Sequence, residues 1–422
     1  MRFLIGVCTL IWAVSAIAAP TASKRPLTLT LAIASVLENN PQLQAANFDN
    51  QAAAARIRQE AQEPPWEMTL ELENLAGTGE SKRIRNLETS LSLARVLELG
   101  NKAQLRGNLA QTRATLLRNE QDAQRLDLLA ETVKRFLRIA HVQAKQALAK
   151  ERVDLEQRTL KVVNRRFQIG KAPKAERSQA LINLAKAELE LEESDHLLAS
   201  ARRNLSILWG ELIPGFRQVE LDLYHMPAVP DLSTLEQLVE QNPSLVRFAT
   251  QQRLAEARLR LAKASRQPDI ELQGGLRHFN GPDDLGLLFS LRVPLGNRKR
   301  ADPLVDEAIG LSSREPLLTE NKRLALRATL FELSQELIHN RDVIDMLQER
   351  IIPAAKSALA DYNQGYAAGR YSLLELTQAQ DLLLQARFEA LNAAVDYHYN
   401  RTEVDRLTGA ALSRIPNSGV SR

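Results

Sequence analysis

The chain is poor in cysteine: Cys8 is the only one among 422 residues. A disulfide framework and cysteine-based zinc sites are therefore excluded. Aromatic residues make up only 5%, and Ala, Leu, Glu, Gln, Arg and Lys dominate, a composition that favours long helices over a mixed globular core. Charge of one sign is also scarce. The net charge of +4 is small for this length, and basic and acidic residues interleave, so no nucleic-acid footprint is present. The six histidines (His141, His196, His225, His278, His339 and His398) are scattered without metal-ligand spacing. No Ser-His-Asp set, phosphate loop or dinucleotide fingerprint stands in a suitable context. These absences argue against an enzyme, a bound cofactor or a resident metal.

Long hydrophobic runs are missing too, apart from Phe3 to Ile17. With Arg2 before it and Ala16-Ile17-Ala18 after it, this run reads as a signal peptide over 1–18. A membrane anchor needs about 20 apolar residues, more than are present. Cys8 lies inside the run, and Val7 stands where a lipid-modified cysteine wants a small residue. The expected mature chain is exported and free of cysteine, which suits a bacterial periplasm or outer membrane.

What is present is a repeat. Phe167-Gln168-Ile169-Gly170 matches Tyr366-Ala367-Ala368-Gly369, and the same offset pairs Glu176 with Glu375 and Leu208-Trp209-Gly210 with Leu407-Thr408-Gly409. Earlier, Asn40-Pro41-Gln42-Leu43 matches Asn242-Pro243-Ser244-Leu245, and Leu99-Gly100-Asn101-Lys102 matches Leu295-Gly296-Asn297-Arg298. The copies are expected at 27–210 and 232–409, with a connector at 211–231 and a flexible tail at 410–422. Each copy begins with a helix (about 27–62 and 232–265) that prolines end at Pro64-Pro65 and Pro268. Two strands follow, then a long helix, a glycine turn and a last helix. The first long helix has no proline from Ala103 to Phe167, a length of roughly 100 Å at 1.5 Å per residue. Its counterpart contains Pro303, Gly310, Pro316 and Pro353, which predict a kink or an irregular wall. On the last helix of copy one, Leu181, Leu184, Leu191, Leu198 and Leu205 form a heptad-like stripe with Glu188, Asp195 and Arg202 interleaved. Helices around a hydrated lumen would keep such charges wet; an imperfect amphipathic bundle is the other reading.

Strands are expected at about 66–75, 85–97, 269–279 and 284–294. Trp66, Met68, Leu70 and Leu72 alternate with Glu67, Thr69, Glu71 and Glu73, and Leu87, Leu91 and Leu93 alternate with Glu88, Ser90 and Ser92. In the second copy Ile270, Leu272 and Leu276 alternate with Glu271, Gln273 and Arg277. About ten residues with one apolar face match a tilted strand crossing a bilayer. Four strands cannot close a barrel, so this reading requires strands from other protomers. Soluble hairpins packed on a helical body remain the alternative, and with them a periplasmic coiled-coil adaptor or scaffold.

In order, and twice, the Asn-Pro-x-Leu start, the strand pair, the Leu-Gly-Asn-Lys/Arg exit and the aromatic-x-x-Gly turn resemble the TolC family of outer-membrane efflux ducts. Leu97-Glu98-Leu99-Gly100-Asn101-Lys102 is similar to the strand exit of its CzcC-like heavy-metal branch. The resemblance implies a mainly α fold with a small β part: a long α-helical barrel and a twelve-stranded outer-membrane β-barrel, four strands from each protomer of a homotrimer. It also implies a passive duct for metal cations, drugs or secreted substrates. The implied partners are a periplasmic adaptor (membrane fusion protein), an inner-membrane resistance-nodulation-division (RND) pump and outer-membrane lipid. By resemblance the two glycine turns, about 168–174 and 366–372, are the periplasmic tips, with Phe167, Gly170, Lys171, Pro173, Tyr366, Gly369, Arg370 and Leu373 as docking candidates. Capping signals account for the same residues: Pro173 at a first helical position, Ser372 with Glu375 as a capping box. Glu176 and Glu375 are candidate gate carboxylates, and Glu67, Glu71, Glu73, Glu88 and Glu271 candidate lumen-facing acids.

Overall fold

A computed structural model describes residues 26–75, 77–79, 84–228, 230–240 and 242–409, so the expected signal peptide at 1–18 and tail at 410–422 lie outside the described residues. The elements in chain order are α1 (Leu29–Asn39), α2 (Pro41–Glu60), β1 (Trp66–Glu73), β2 (Glu88–Glu98), α3 (Lys102–Gln168), α4 (Lys174–Ser206), α5 (Leu232–Val239), α6 (Pro243–Ala264), β3 (Asp269–Phe279), β4 (Asp284–Arg292), α7 (Asn297–Met346), α8 (Ile352–Ala367) and α9 (Leu373–Thr408). Helix–strand–strand–helix thus occurs twice. The chain divides into two compact units, one of Met1–Val36 with Arg135–Asp222, the other of Leu37–Lys134 with Leu223–Arg422.

The opening helix of each copy differs from expectation: it is two helices, broken at Asn-Pro. Proline cannot donate to the preceding turn, and the residue before it is driven to extended backbone. Asn40 (φ −68°, ψ 122°) and Asn242 (φ −63°, ψ 132°) take that conformation and cap the next helix. The Asn40 Oδ1 accepts from the Gln42 and Leu43 amides at 2.9 and 3.2 Å. The Asn242 Oδ1 accepts from Ser244 at 2.7 Å, while its Nδ2 donates to the Arg406 and Leu407 carbonyls at 3.0 and 2.8 Å.

In the first unit, the lower part of α3 and α4 run antiparallel. Arg152 reaches Glu190 at 3.1 Å, Gln146 bonds Asp195, and Arg177 donates to Asn164 at 2.9 Å. Four of the five stripe leucines, Leu184, Leu191, Leu198 and Leu205, turn inward on α4, whereas Leu181 is exposed. The buried or half-buried row is Ala180, Leu184, Ala187, Leu191, Ser194, Leu198, Ala201 and Leu205. Small residues alternate there with leucine in strict heptad order, and the small ones permit close helix approach. Glu188 and Asp195 sit one position off that row and are exposed, so they do not interrupt the seam. The Gln143 side chain holds the following segment, accepting from the Val219 amide at 2.8 Å and donating to its carbonyl at 3.1 Å.

The second unit contains the sheet, antiparallel throughout in the order β1-β2-β3-β4. Below it, two basic side chains at the start of α3 gather loose chain ends. Lys102 Nζ donates to the Gln267 carbonyl at 2.8 Å and to Asp269 at 2.6 Å. Arg106 binds both oxygens of Glu98 and the carbonyls of Glu60 and Gln62, at 3.3 and 3.0 Å, satisfying acceptors past the end of α2. Glu98 holds the Arg106 proton more tightly than usual. The repeated Leu-Gly-Asn exit has a backbone cause: Gly100 (φ 83°) and Gly296 (φ 82°) are left-handed, a region that side chains rarely adopt. At Gly100 a Cβ would also lie 2.9 Å from the Gln267 side chain.

α7 runs without a break through Pro303 and Pro316. Pro353 is accommodated differently. Residues Leu347–Ile351 form a π-turn in which the Ile352 amide bonds the Leu347 carbonyl, five residues back, and Pro353 then falls at the start of α8. A wider turn just ahead of the ring relieves the clash that proline makes with the preceding turn. Lys102→Met should lower the thermal unfolding midpoint followed by circular dichroism, by the equivalent of about 1–3 kcal/mol. An unchanged midpoint would show that the Lys102 clasp contributes nothing to stability.

Candidate functional site

The register sorts every strand residue onto one of two faces. Glu71 faces Ser90, which faces Arg277, which faces Gly286; Leu70 faces Leu91, then Leu276, then Leu287. All five acids, Glu67, Glu71, Glu73, Glu88 and Glu271, therefore share one face with Ser90, Ser92, Gln273, Arg277 and Arg292. That face is cross-linked rather than uniformly acidic. Arg277 bridges Glu73 at 3.1 Å and Glu88 at 3.0 Å, Arg292 binds Glu271 at 2.9 Å, and Gln273 donates to Ser92 at 2.8 Å.

The opposite face is apolar and uncovered. Trp66, Met68, Leu70, Leu91, Leu93, Leu276, Leu285, Leu287, Phe289 and Leu291 are all exposed, Leu287 to 87%. Contiguous apolar exposure on this scale marks a surface that meets something other than water. β1 and β4 are the outer strands of the sheet. Among the described residues, no helix is long and apolar enough to cross a membrane.

The two glycine turns share one backbone design. Gly170 (φ 73°) and Gly369 (φ 80°) are left-handed; Lys171 N bonds Arg166 O and Arg370 N bonds Gly365 O, both at 2.8 Å, the six-residue bond that ends a helix on glycine. The turns differ in their side chains. In the first, Arg177 lies over the Phe167 ring at 5.6 Å. Pro173 is the N-cap of α4, not its first helical residue, and supplies no side-chain bond. In the second, Tyr371 packs on Tyr362 with ring centroids 4.7 Å apart, and a Cβ on Gly365 would strike Tyr371 at 2.1 Å.

Of the docking candidates, Gly170, Lys171, Pro173, Gly369 and Arg370 are exposed and Phe167 is half-buried. Tyr366 and Leu373 are buried in the chain, because they close the turn from inside, and so are not surface contacts. Ile169, Tyr371 and Leu374 are exposed apolar residues at the turns that their sequence pattern did not single out. Of the two gate candidates, Glu375 is committed to the capping box: its carboxylate accepts from the Ser372 amide and hydroxyl, both at 2.8 Å. Those bonds, the backbone one first, hold the Glu375 carboxyl below its ordinary value. Glu176 stands at the equivalent place in α4 and is half-buried.

A depressed folded pKa means that the Glu375 contribution is complete above the ordinary glutamate value of about 4.3 and fades as pH falls through the lower, folded one. Glu375→Gln should therefore differ from the parent in protection of the α9 amide ends at neutral pH and converge with it in acid. A difference that persists unchanged in acid would remove the carboxylate from the cap.

The model of the outer membrane efflux protein family matches residues 32–211 and again 234–410. The cobalt-zinc-cadmium resistance protein CzcC of Cupriavidus metallidurans is 25% identical over 390 residues, 92% of each chain. Among solved structures, a membrane protein of Pseudomonas aeruginosa superposes with a TM-score of 0.76 at 17% identity, covering 90% of both chains. CusC, a transmembrane channel, gives 0.74 at 19%, covering 90% of this chain and 91% of its own. The outer membrane protein VceC of Vibrio cholerae gives 0.74 at 16%, covering 90% and 96%. These likenesses show a common fold, that of TolC-like channels. With both halves matched, the chain belongs to the outer membrane efflux protein family.

Proposed function

We propose that this chain is the outer-membrane duct of a tripartite RND-type exporter, working as a homotrimer and passing metal cations outward without chemistry of its own. The observation that carries the reading is the four-stranded sheet with one polar face, one bare apolar face and two outer strands. In hydrocarbon, the backbone groups of those edges must be paired, and a closed ring of sheets from several copies pairs them all. Three copies give twelve strands, with Leu287, Phe289 and Met68 toward lipid and Glu67 and Glu71 toward the lumen, where no ion pair among the described residues neutralises them. Such a duct is passive: the pump supplies the energy, and the exposed tip residues Lys171, Arg370, Ile169 and Leu374 are the surface offered to the adaptor. The metal assignment is supported by CzcC, the cobalt-zinc-cadmium resistance protein matched over 92% of the chain.

Deleting the gene should sensitise its host to one or more of zinc, cobalt, cadmium, copper and silver. Sensitivity only to dyes and antibiotics would overturn the metal assignment and favour a drug duct. At the tips, Glu176 and Glu375 would set a negative potential at the entrance. Replacing both by Gln should reduce cation preference in single-channel recordings. Unchanged selectivity would leave Glu375 a capping residue and Glu176 a helix-end charge.

A further inference from the structure

The two copies leave the sheet through the same left-handed glycine, Gly100 and Gly296, with different charges behind it. Asn101-Lys102-Ala103-Gln104 leads into α3, and Asn297-Arg298-Lys299-Arg300 leads into α7. Lys102 is buried and tied to Asp269 and the Gln267 carbonyl. Arg298, Lys299 and Arg300 are all exposed, and so is Lys263 near the end of α6, the helix that Arg266 joins to Asp302 of α7 at 2.8 Å. Among the described residues, none of these four side chains has an ion-pair or hydrogen-bond partner. Asp302, the first acid on α7, is already held by Arg266 and does not offset them.

The cations begin where the apolar face stops. Leu285, Leu287, Phe289, Leu291, Val293 and Leu295 alternate down one side of β4 and the residues after it, and all are exposed, Leu295 to 91%. They cover at most about 33 Å of chain, which at a tilt of about 40° spans about 25 Å of depth, the height of an outer-membrane apolar band. Arg298 follows directly after the turn. The first copy's side of the same rim is neutral: Arg95 lies over the Trp66 ring at 5.2 Å and is paired with Glu63.

We propose that Arg298, Lys299 and Arg300, with Lys263, hold the phosphate headgroups of anionic phospholipids in the leaflet nearest the helices, while Val293 and Leu295 lie among the acyl chains. Guanidinium and ammonium groups donate charge-assisted hydrogen bonds to phosphate oxygens, and basic residues beside a bilayer are drawn to its anionic lipids. The arginine and lysine stems let the charges reach the headgroups while the carbon chains stay against apolar surface. The other end of β4 carries the exposed acids Asp283 and Asp284, so the strand presents opposite charges to the two leaflets. The inference rests on the outer-membrane placement proposed above and adds to it which headgroups meet the helix-side rim, and through which residues.

The detergent-extracted full-length protein, offered equal amounts of phosphatidylglycerol and phosphatidylcholine, should carry the anionic lipid preferentially through size-exclusion chromatography. Lys299→Gln with Arg300→Gln should lower that preference about tenfold, and raised salt should weaken it in the parent. Arg253→Gln with Lys356→Gln removes the same charge from exposed positions farther down the helices and should leave the preference unchanged. Equal losses in the two double variants would reduce the effect to net charge and overturn the proposal. An undiminished preference after Lys299→Gln with Arg300→Gln would do the same. If that variant instead loses the multi-chain mass of the parent, the cations join copies and not lipid, and the proposal fails. A parent of three-chain mass with no lipid preference rejects the headgroup site and leaves the duct standing, whereas a parent recovered as single chains without detergent rejects both.

Discussion

The ladder between β2 and β3, paired from Glu88↔Phe279 to Glu98↔Asp269, is the constraint on which the sheet depends. It joins the strand pair of one copy to that of the other, so that two hairpins, each marginal alone, become a single sheet with two coherent faces. Side-chain period two then does the sorting. A slip of one residue in this ladder would turn Leu276 and Leu272 to the polar side and carry Arg277 away from Glu73 and Glu88. The Arg277 bridges therefore act as a register lock near one end of the sheet, and the Lys102 and Arg106 clasps anchor the other end to the helices.

The strands were legible because their alternation is local: Trp66 to Glu73 reads as a two-faced strand without knowledge of any partner. The duplicated order of helices and strands was equally plain, since glycine and proline punctuate both copies at matching places. Helix continuity was less legible. Asn40-Pro41 splits a helical pattern that composition alone would carry through, while Pro303 and Pro316, which predict a kink by the same chemistry, lie inside an unbroken α7. Tertiary surroundings decide such cases, and the local pattern does not contain them.

The site was legible in position and less so in role. The polar face could be named from Glu67, Glu71, Glu73, Glu88 and Glu271, yet Arg277 and Arg292, which neutralise three of them, lie more than a hundred residues from Glu73 and Glu88 or on the neighbouring strand. On α4, Leu184, Leu191, Leu198 and Leu205 of the leucine stripe lie in the seam, and Leu181 alone leaves it. The buried row begins at Ala180, and Leu181 beside it points outward. At the glycine turns, the glycine and the capping box were evident, but nothing local distinguishes Tyr366, turned inward, from Tyr371, turned partly out.

The π-turn at Leu347–Ile351 also bears on how the two copies stay equivalent. Above it, Leu337, Ile344 and Leu347 match Ile139, Gln146 and Ala149 residue for residue. Below it, Ala355, Leu359 and Tyr366 match Glu156, Leu160 and Phe167 only if one residue is skipped. An extra residue in an ordinary α-helix would rotate everything beyond it by about 100°. Absorbed in a π-turn, it leaves the azimuth of the lower helix untouched, so two copies of unequal length still deliver an aromatic ring to the same side of the same glycine turn.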